Sequence, residues 1–265
     1  MVTHLNNPIS LDIETAPRGD FPSDYALQPW RYNEGAAQVT CIGVGKSSGE
    51  ALLITKPEQY RALLASLKGK TVCTWNGGFD IAWLIAYGLY DEVNAINWVD
   101  GMILWKWLDN SQKNERMPNW SLAAAVKHFF KDDKWAKVFI KMKGQEVAVG
   151  ENDVYWEQRA KLDCIATSRV CEIIWNQLGA RRQKSAMITM AGIVPGANSW
   201  HRGVTLDYSL IDQLIPEITN EMQDIEYKLG VHNNQGLPID NNWTPSKILR
   251  STKQLQALLY GAWRL

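Results

Sequence analysis

Three groups of residues in this sequence have types and spacings that could do chemistry, and all three centre on carboxylates. Asp12-Ile13-Glu14 lies in an apolar run near the N-terminus, ISLDIE. Side chains alternate across a strand, so in an extended run Asp12 and Glu14 share one face and Leu11 and Ile13 the other. Two carboxylates a few ångströms apart repel each other unless a cation lies between them or one holds a proton. Asn76-Gly77-Gly78-Phe79-Asp80 follows the run TVCTWN and opens another apolar stretch; the commoner use of Asn or Asp at such a place is to cap a helix. Asp163 falls on a stripe that Trp156, Ala160, Thr167, Val170 and Ile174 form at helical spacing. A carboxylate on such a face needs a partner or a metal, and Arg159, one turn away, is the candidate for an ion pair. Asp12, Glu14, Asp80 and Asp163 together are oxygen donors without histidine or thiolate, a set that selects Mg²⁺ or Mn²⁺ over zinc. Two such ions can activate a water and stabilise a departing oxygen in phosphodiester cleavage.

The elements that must position these groups follow from the punctuation of the chain. Residues 9–14 and 39–54 predict three strands, the last two joined by the turn KSSGE, and so an opening β-meander. A short helix from Pro57 to residue 67, a buried strand over 71–76 and an apolar helix over 79–89 come next. INWVDGMILWKWL reads as a strand passing into a helix near Asp100, and SLAAAVKHFF as a helix over 121–130. Residues 131–152 read as loop or hairpin, and a long helix is predicted over 153–178 with Gly179 as its stop. Three strands followed by alternating helix and strand describe an α/β fold, a mixed sheet with helices on its faces. Beyond Gly179 the apolar residues of 211–229 fall at spacings of 3 and 4, an amphipathic helix that Pro216 should kink or cut short and Gly230 should stop. A last helix is predicted from Thr244-Pro245 through Leu259. The tail is thus a helical extension without a sheet, and its apolar stripes need a partner.

Composition removes several classes. With 265 residues, 46% of them apolar and 21% charged, the chain can bury a sizeable core and is not generally disordered. No stretch approaches the roughly 18 consecutive apolar residues of a membrane span, and MVTHLNNPIS lacks the marks of a signal peptide. The expectation is a soluble, cytoplasmic protein with no membrane contact. Cys41, Cys73, Cys164 and Cys171 form no CxxC and the four histidines stand singly, so buried reduced thiols are expected and a zinc cage or disulfide framework is not. The 28 basic residues balance 28 acidic ones, so any nucleic-acid contact must be short and local. Gly43-Val44-Gly45-Lys46-Ser47 resembles the end of a phosphate-binding loop, but Thr40 stands where the opening glycine belongs, and strand-turn-strand is the wrong context.

The motifs DIET, NGGFD and the late helical Asp163 resemble the Exo I, Exo II and Exo III motifs of the DEDD (DnaQ-like) 3′→5′ exonucleases. WVDGM resembles that family's strand-to-helix step and NWSLAAAVKHFF its following helix, so the resemblance covers residues 9 to about 178. It implies an RNase H-like fold over 1–178 and two Mg²⁺ or Mn²⁺ ions. Asp12, Glu14 and Asp163 would hold one ion, Asp12 would bridge to the second, and Asp80 would bind that second ion through water. Asn76, Phe79 and the backbone at Thr15 would touch the terminal nucleotide of a single-stranded 3′ primer end. The tail 179–265 resembles the segment of family-A DNA polymerases that follows the exonuclease and leads into the thumb. The short N-terminal lead before Asp12 is closer to bacteriophage members, and the chain stops at Leu265 before any polymerase motif. The resemblance therefore implies proofreading of DNA synthesis, either by an exonuclease subunit of a split polymerase, with a polymerase polypeptide docking on 179–265, or by a fragment of a longer chain, with no polymerase activity on this chain alone.

The sequence departs from the family in one place. A tyrosine four residues before the last Asp or a histidine five before it normally positions the attacking water, and here Arg159 and Gln158 stand there. Tyr155, two turns before Asp163, is the alternative that could reach in. Loss of such a positioning group costs about 10²–10⁴ in rate. Two other functions therefore stand beside proofreading: a weak or inactive exonuclease fold acting as a docking subunit, and an RNA-trimming exonuclease. Of the 13 tryptophans, Trp75, Trp83, Trp98, Trp105 and Trp107 sit in apolar runs and are expected in the core, whereas Trp120, Trp135, Trp200 and Trp243 are better placed for DNA or partner contact.

Overall fold

The computed structural model describes residues 5–109, 119–144, 153–203 and 207–233. Its centre is a five-stranded mixed sheet of β1 (Ile9–Pro17), β2 (Ala37–Lys46), β3 (Ala51–Ile54), β4 (Thr71–Thr74) and β5 (Asn97–Asp100), in the order β3-β2-β1-β4-β5. The first three strands form the expected antiparallel meander; β4 and β5 join in parallel on the other side of β1. Between β3 and β5 lie α1 (Tyr60–Ser66), α2 (Gly78–Ala86) and α3 (Tyr90–Asn94). After β5 come α4 (Gly101–Leu108), α5 (Leu122–Phe130), α6 (Lys134–Lys143) and α7 (Asp153–Gln177), then α8 (Ala180–Met190) and α9 (Ile193–Arg202). All of these belong to one compact unit ending at Gly203. Helices α8 and α9 are thus part of it, although the sequence placed the domain boundary after residue 178.

The alternation of β1 sorts its side chains as expected. Leu11 and Ile13 enter the hydrophobic core on one face, while Ser10, Asp12 and Glu14 share the other, which α7 covers. Two glycines of β2 let α7 approach closely. Gly45 and Gly43 pair with Ser10 and Asp12; a Cβ on Gly43 would lie 2.5 Å from the Cys164 sulfur, and one on Gly45 2.8 Å from the Cys164 Cβ. The Ser10 hydroxyl donates to the Cys164 carbonyl at 2.6 Å and fixes the helix at that height. The segment that mimics a phosphate-binding loop is therefore the seat of α7, in the strand-turn-strand setting predicted for it. Cys41, Cys73, Cys164 and Cys171 are all buried and free of disulfides.

Several expectations are corrected. Residues 134–143 form a helix where loop or hairpin was expected, with Ala136 and Phe139 buried against the core. The helix expected over 79–89 is α2 and ends at Ala86; Gly88 takes a left-handed φ of 73°, and the short α3, which was not expected, follows it. Gly179 is extended, with φ −64° and ψ 155°, and its carbonyl receives the first amides of α8, so it starts that helix rather than stopping α7. A second unit begins at Val204, and within it α10 (Tyr208–Asn233) runs through Pro216 and three residues past Gly230. Proline fixes φ near its helical value; its cost is the amide it cannot give to the carbonyl four residues earlier, that of Asp212. The helix predicted from Thr244 onward, and Trp243, lie outside the described residues. Trp83, Trp98 and Trp105 are buried as expected, and Trp75 and Trp107 are partly buried against the core. Among the described residues, no helix is long and apolar enough to cross a membrane.

Candidate metal centre

Helix α7, seated on the two glycines, brings Asp163 over β1. One carboxylate oxygen each from Asp12, Glu14 and Asp163 lies within 4.8 Å of the other two. Opposite ligands on an octahedral Mg²⁺ are about 4.2 Å apart, so small side-chain rotations suffice for a common ion. A second observation points the same way. Asp163 is buried, and its Oδ1 has no hydrogen-bond partner, an arrangement that costs free energy unless something binds there. Oxygen-only donors and an orphaned buried carboxylate oxygen together fit a hard divalent cation. The group opens into a cleft of about 260 Å³, whose walls include Trp75, Asn76, Phe79, Leu122, Lys143 and Arg159.

Asp80 reaches the same cleft from α2 and is 2% exposed. Its Oδ1 accepts the Ile13 amide at 3.0 Å. The pairing of β1 with β4 covers only Ile9 with Val72 and Ser10 with Cys73, so beyond Ser10 the two strands part and the Asp80 carboxylate takes the amide that a strand carbonyl would have taken. Directly after Glu14 the β1–β2 register slips by one residue, with Thr40 extra, and the Thr40 hydroxyl donates to the Glu14 carbonyl at 3.1 Å. That irregularity ends the alternation at the cleft-facing side chains, a common device beside functional sites.

Asn76 lies on the loop into α2 with φ 60°, a left-handed conformation that Asn tolerates better than most residues. Asp100 holds that loop, a role the sequence reading did not assign to it. Its Oδ2 accepts the Gly77 amide at 2.7 Å, while Oδ1 accepts the amides of Met102 at 2.8 Å and Ile103 at 3.1 Å, capping α4. One side chain thus fixes both the NGG turn and the next helix start. Asp100→Ala is expected to cost about 1–2 kcal/mol through the lost cap and the stranded Gly77 amide, read as a lower midpoint in urea unfolding. Beside this loop, Phe79 packs at 6.2 Å from Trp200 of α9, and the two rings line an adjoining cleft of about 430 Å³ with Asn76.

The cations differ from expectation. The ion-pair partner of Asp163 is Lys143 at the end of α6, with Nζ 2.7 Å from Oδ2, rather than Arg159. Arg159 lines the cleft with its guanidinium stacked over Trp156 at 4.9 Å. Tyr155 does not line the cleft; its hydroxyl donates to the Met142 carbonyl at 2.5 Å. At Thr15, whose backbone is the part expected to meet the nucleotide, the hydroxyl donates to the Ala26 carbonyl at 2.7 Å. Lys143 had one sequence signal: it continues at spacing 3 and 4 the stripe of Ala136, Phe139 and Ile140. Trp120 packs edge-on against Trp105, and Trp135 lies beneath the Arg169 guanidinium at 4.5 Å.

Without a metal the four carboxylates disfavour one another's charge. Burial raises the pKa of Asp12, and Asp80, Asp163 and Glu14 raise it further, against the opposing pull of Lys143. Burial also raises Glu14, Asp80 and Asp163; Lys143 opposes the rise at Glu14 and Asp163, and the Ile13 amide opposes it at Asp80. The folded chain therefore binds protons here more tightly than the unfolded chain. The stability these groups contribute is full below the ordinary carboxylate range and is lost as pH rises through their raised values. At neutral pH and without metal, Asp12→Asn should accordingly stabilise the fold by about 1 kcal/mol, a gain of about 2–4 °C in Tm. Calorimetric scans in EDTA test this, and added Mn²⁺ should stabilise the wild type more at pH 8 than at pH 5.5.

No family model matches the chain, and no curated protein does. Among solved structures it is similar to the POL domain of Pol1 from M. smegmatis in complex with DNA primer-template and dNTP, with a TM-score of 0.54 and 15% identity. The match covers 98% of this chain and 38% of that one, so the chain spans well under half of its neighbour's length. At that identity the likeness is one of fold.

Proposed function

We propose that this chain is a metal-dependent 3′→5′ exonuclease of the DEDD type, on an RNase H-like sheet, that trims primer ends during DNA synthesis. The observation that carries the reading is the meeting of one carboxylate oxygen each of Asp12, Glu14 and Asp163 within 4.8 Å, in a group where Asp163 also has a buried, unpartnered Oδ1. The fold likeness to the POL domain of a Pol1 bound to primer-template and dNTP supports a place in DNA synthesis. The three carboxylates hold the hard cation, and Asp80 adds negative charge from the split between β1 and β4. Bound there, Mg²⁺ or Mn²⁺ supplies an activated water and charge stabilisation for a phosphodiester. Arg159 and Lys143 give the cleft two positive groups for the phosphate. Phe79 offers a ring for the terminal base to stack on, and Asn76 a polar edge.

Digestion of a 5′-labelled single strand with Mg²⁺ or Mn²⁺ tests the reading, with DNA and RNA run side by side. Shortening from the 3′ end that stops in EDTA is expected, with DNA preferred. Inert protein in both metals refutes it, and preference for RNA moves the chain to the RNA-trimming class. One observation favours a second reading, a docking subunit with a silenced site: Lys143 already neutralises Asp163. In that case Mn²⁺ does not bind at millimolar concentration, and the surviving function is capture of a polymerase polypeptide by the C-terminal segment, measurable by sedimentation.

A further inference from the structure

We infer that the carboxylate centre takes one divalent cation, with Lys143 serving as a built-in second cation. The inference rests on the metal-binding reading above and goes beyond it in number and in the residue that sets the number. Four carboxylates, Asp12, Glu14, Asp80 and Asp163, line the cleft together with two cationic side chains, Lys143 and Arg159. The sum is two negative charges, which a single Mg²⁺ or Mn²⁺ neutralises. A second ion would leave excess positive charge in a largely buried site, where uncompensated charge is costly.

Geometry divides the ligands in the same way. Lys143 occupies Oδ2 of Asp163 and leaves its other oxygen, the buried Oδ1, without a partner, in a side chain that offers one oxygen within 4.8 Å of Asp12 and Glu14. Asp80 stands outside that three-residue cluster, and one of its oxygens is already bonded to the Ile13 amide. Nor is Lys143 a loose surface side chain. It ends a helix whose Ala136 and Phe139 are buried, and its ammonium lies 5.9 Å from the centre of the Phe139 ring. Its side chain is 26% exposed, and the ion pair with Asp163 holds its charge at the cleft.

The test is Mn²⁺ stoichiometry by equilibrium dialysis on the full chain at pH 7.5, with no nucleotide or phosphate added. Wild type and Lys143→Arg should bind one ion per chain. Lys143→Met should bind two, and Asp163→Asn should weaken the single ion at least tenfold. Circular dichroism checks each fold, and Lys143→Gln replaces Lys143→Met if the latter does not fold. Two ions in the wild type, or one in both wild type and Lys143→Met, overturn the inference. One ion under lysine control without strand shortening would strike down the exonuclease and leave this inference standing; two ions with shortening intact would do the reverse.

Discussion

Strand shortening by the wild type should fall about 10³-fold or more in Asp12→Ala/Glu14→Ala, with the fold retained. A bound divalent ion supplies several kcal/mol of transition-state stabilisation, and each 1.4 kcal/mol is tenfold in rate. The two side chains lie on the α7-facing side of β1, whose opposite side carries Leu11 and Ile13 into the core. Truncating them leaves the apolar face untouched and removes mutual repulsion, so activity and stability should move in opposite directions. That opposition distinguishes loss of a metal site from loss of structure. Single-turnover digestion of a 3′-mismatched, 5′-labelled primer, paired with thermal unfolding in EDTA, measures both. A double variant as active as the wild type would exclude this strand from the chemistry.

The second large effect is expected at a residue that has no side chain. Gly45→Val should destabilise the chain by about 3 kcal/mol, at the upper end of overpacking costs, and reduce digestion as well. A Cβ at position 45 would sit 3.1 Å from the Cys164 carbonyl carbon and the Ile165 nitrogen, which are backbone atoms. Relief therefore requires α7 to move, and α7 carries Asp163. At Gly43 the nearest atom is the Cys164 sulfur, the end of a side chain, so Gly43→Ala should be milder. Urea unfolding and the digestion assay on both variants check the order.

Which parts of this were legible beforehand follows from whether each signal is local. The DIE alternation on β1 and the stripe carrying Asp163 are periodic patterns inside single elements, and the structure places both carboxylate groups at one cleft. Asp80 also follows from its place at the start of a helix after a buried strand. The partner of Asp163 was not legible, because Lys143 comes from α6, 20 residues away, in a stretch too mixed to assign. Its position on the apolar stripe of α6 was the available sign, and only helix assignment makes that stripe visible. The glycines of β2 were noticed only in a phosphate-loop match that their context ruled out; their use depends on which helix covers the strand, which is a property of the tertiary fold. Tyr155 shows the converse, since nearness in sequence to a site residue does not aim a side chain, and its hydroxyl is bonded to the Met142 carbonyl.

The split between β1 and β4 gives the centre its own reporter. The Ile13 amide bonds to a titrating carboxylate where a strand would offer a neutral carbonyl, so its proton responds to whatever alters the charge on Asp80. In an ¹⁵N-labelled sample this one backbone resonance should shift as Mn²⁺-free protein is titrated with Mg²⁺. Its solvent exchange should slow when the cleft fills. Occupancy of the site then becomes readable from the central strand of the sheet, with no substrate present and no turnover required.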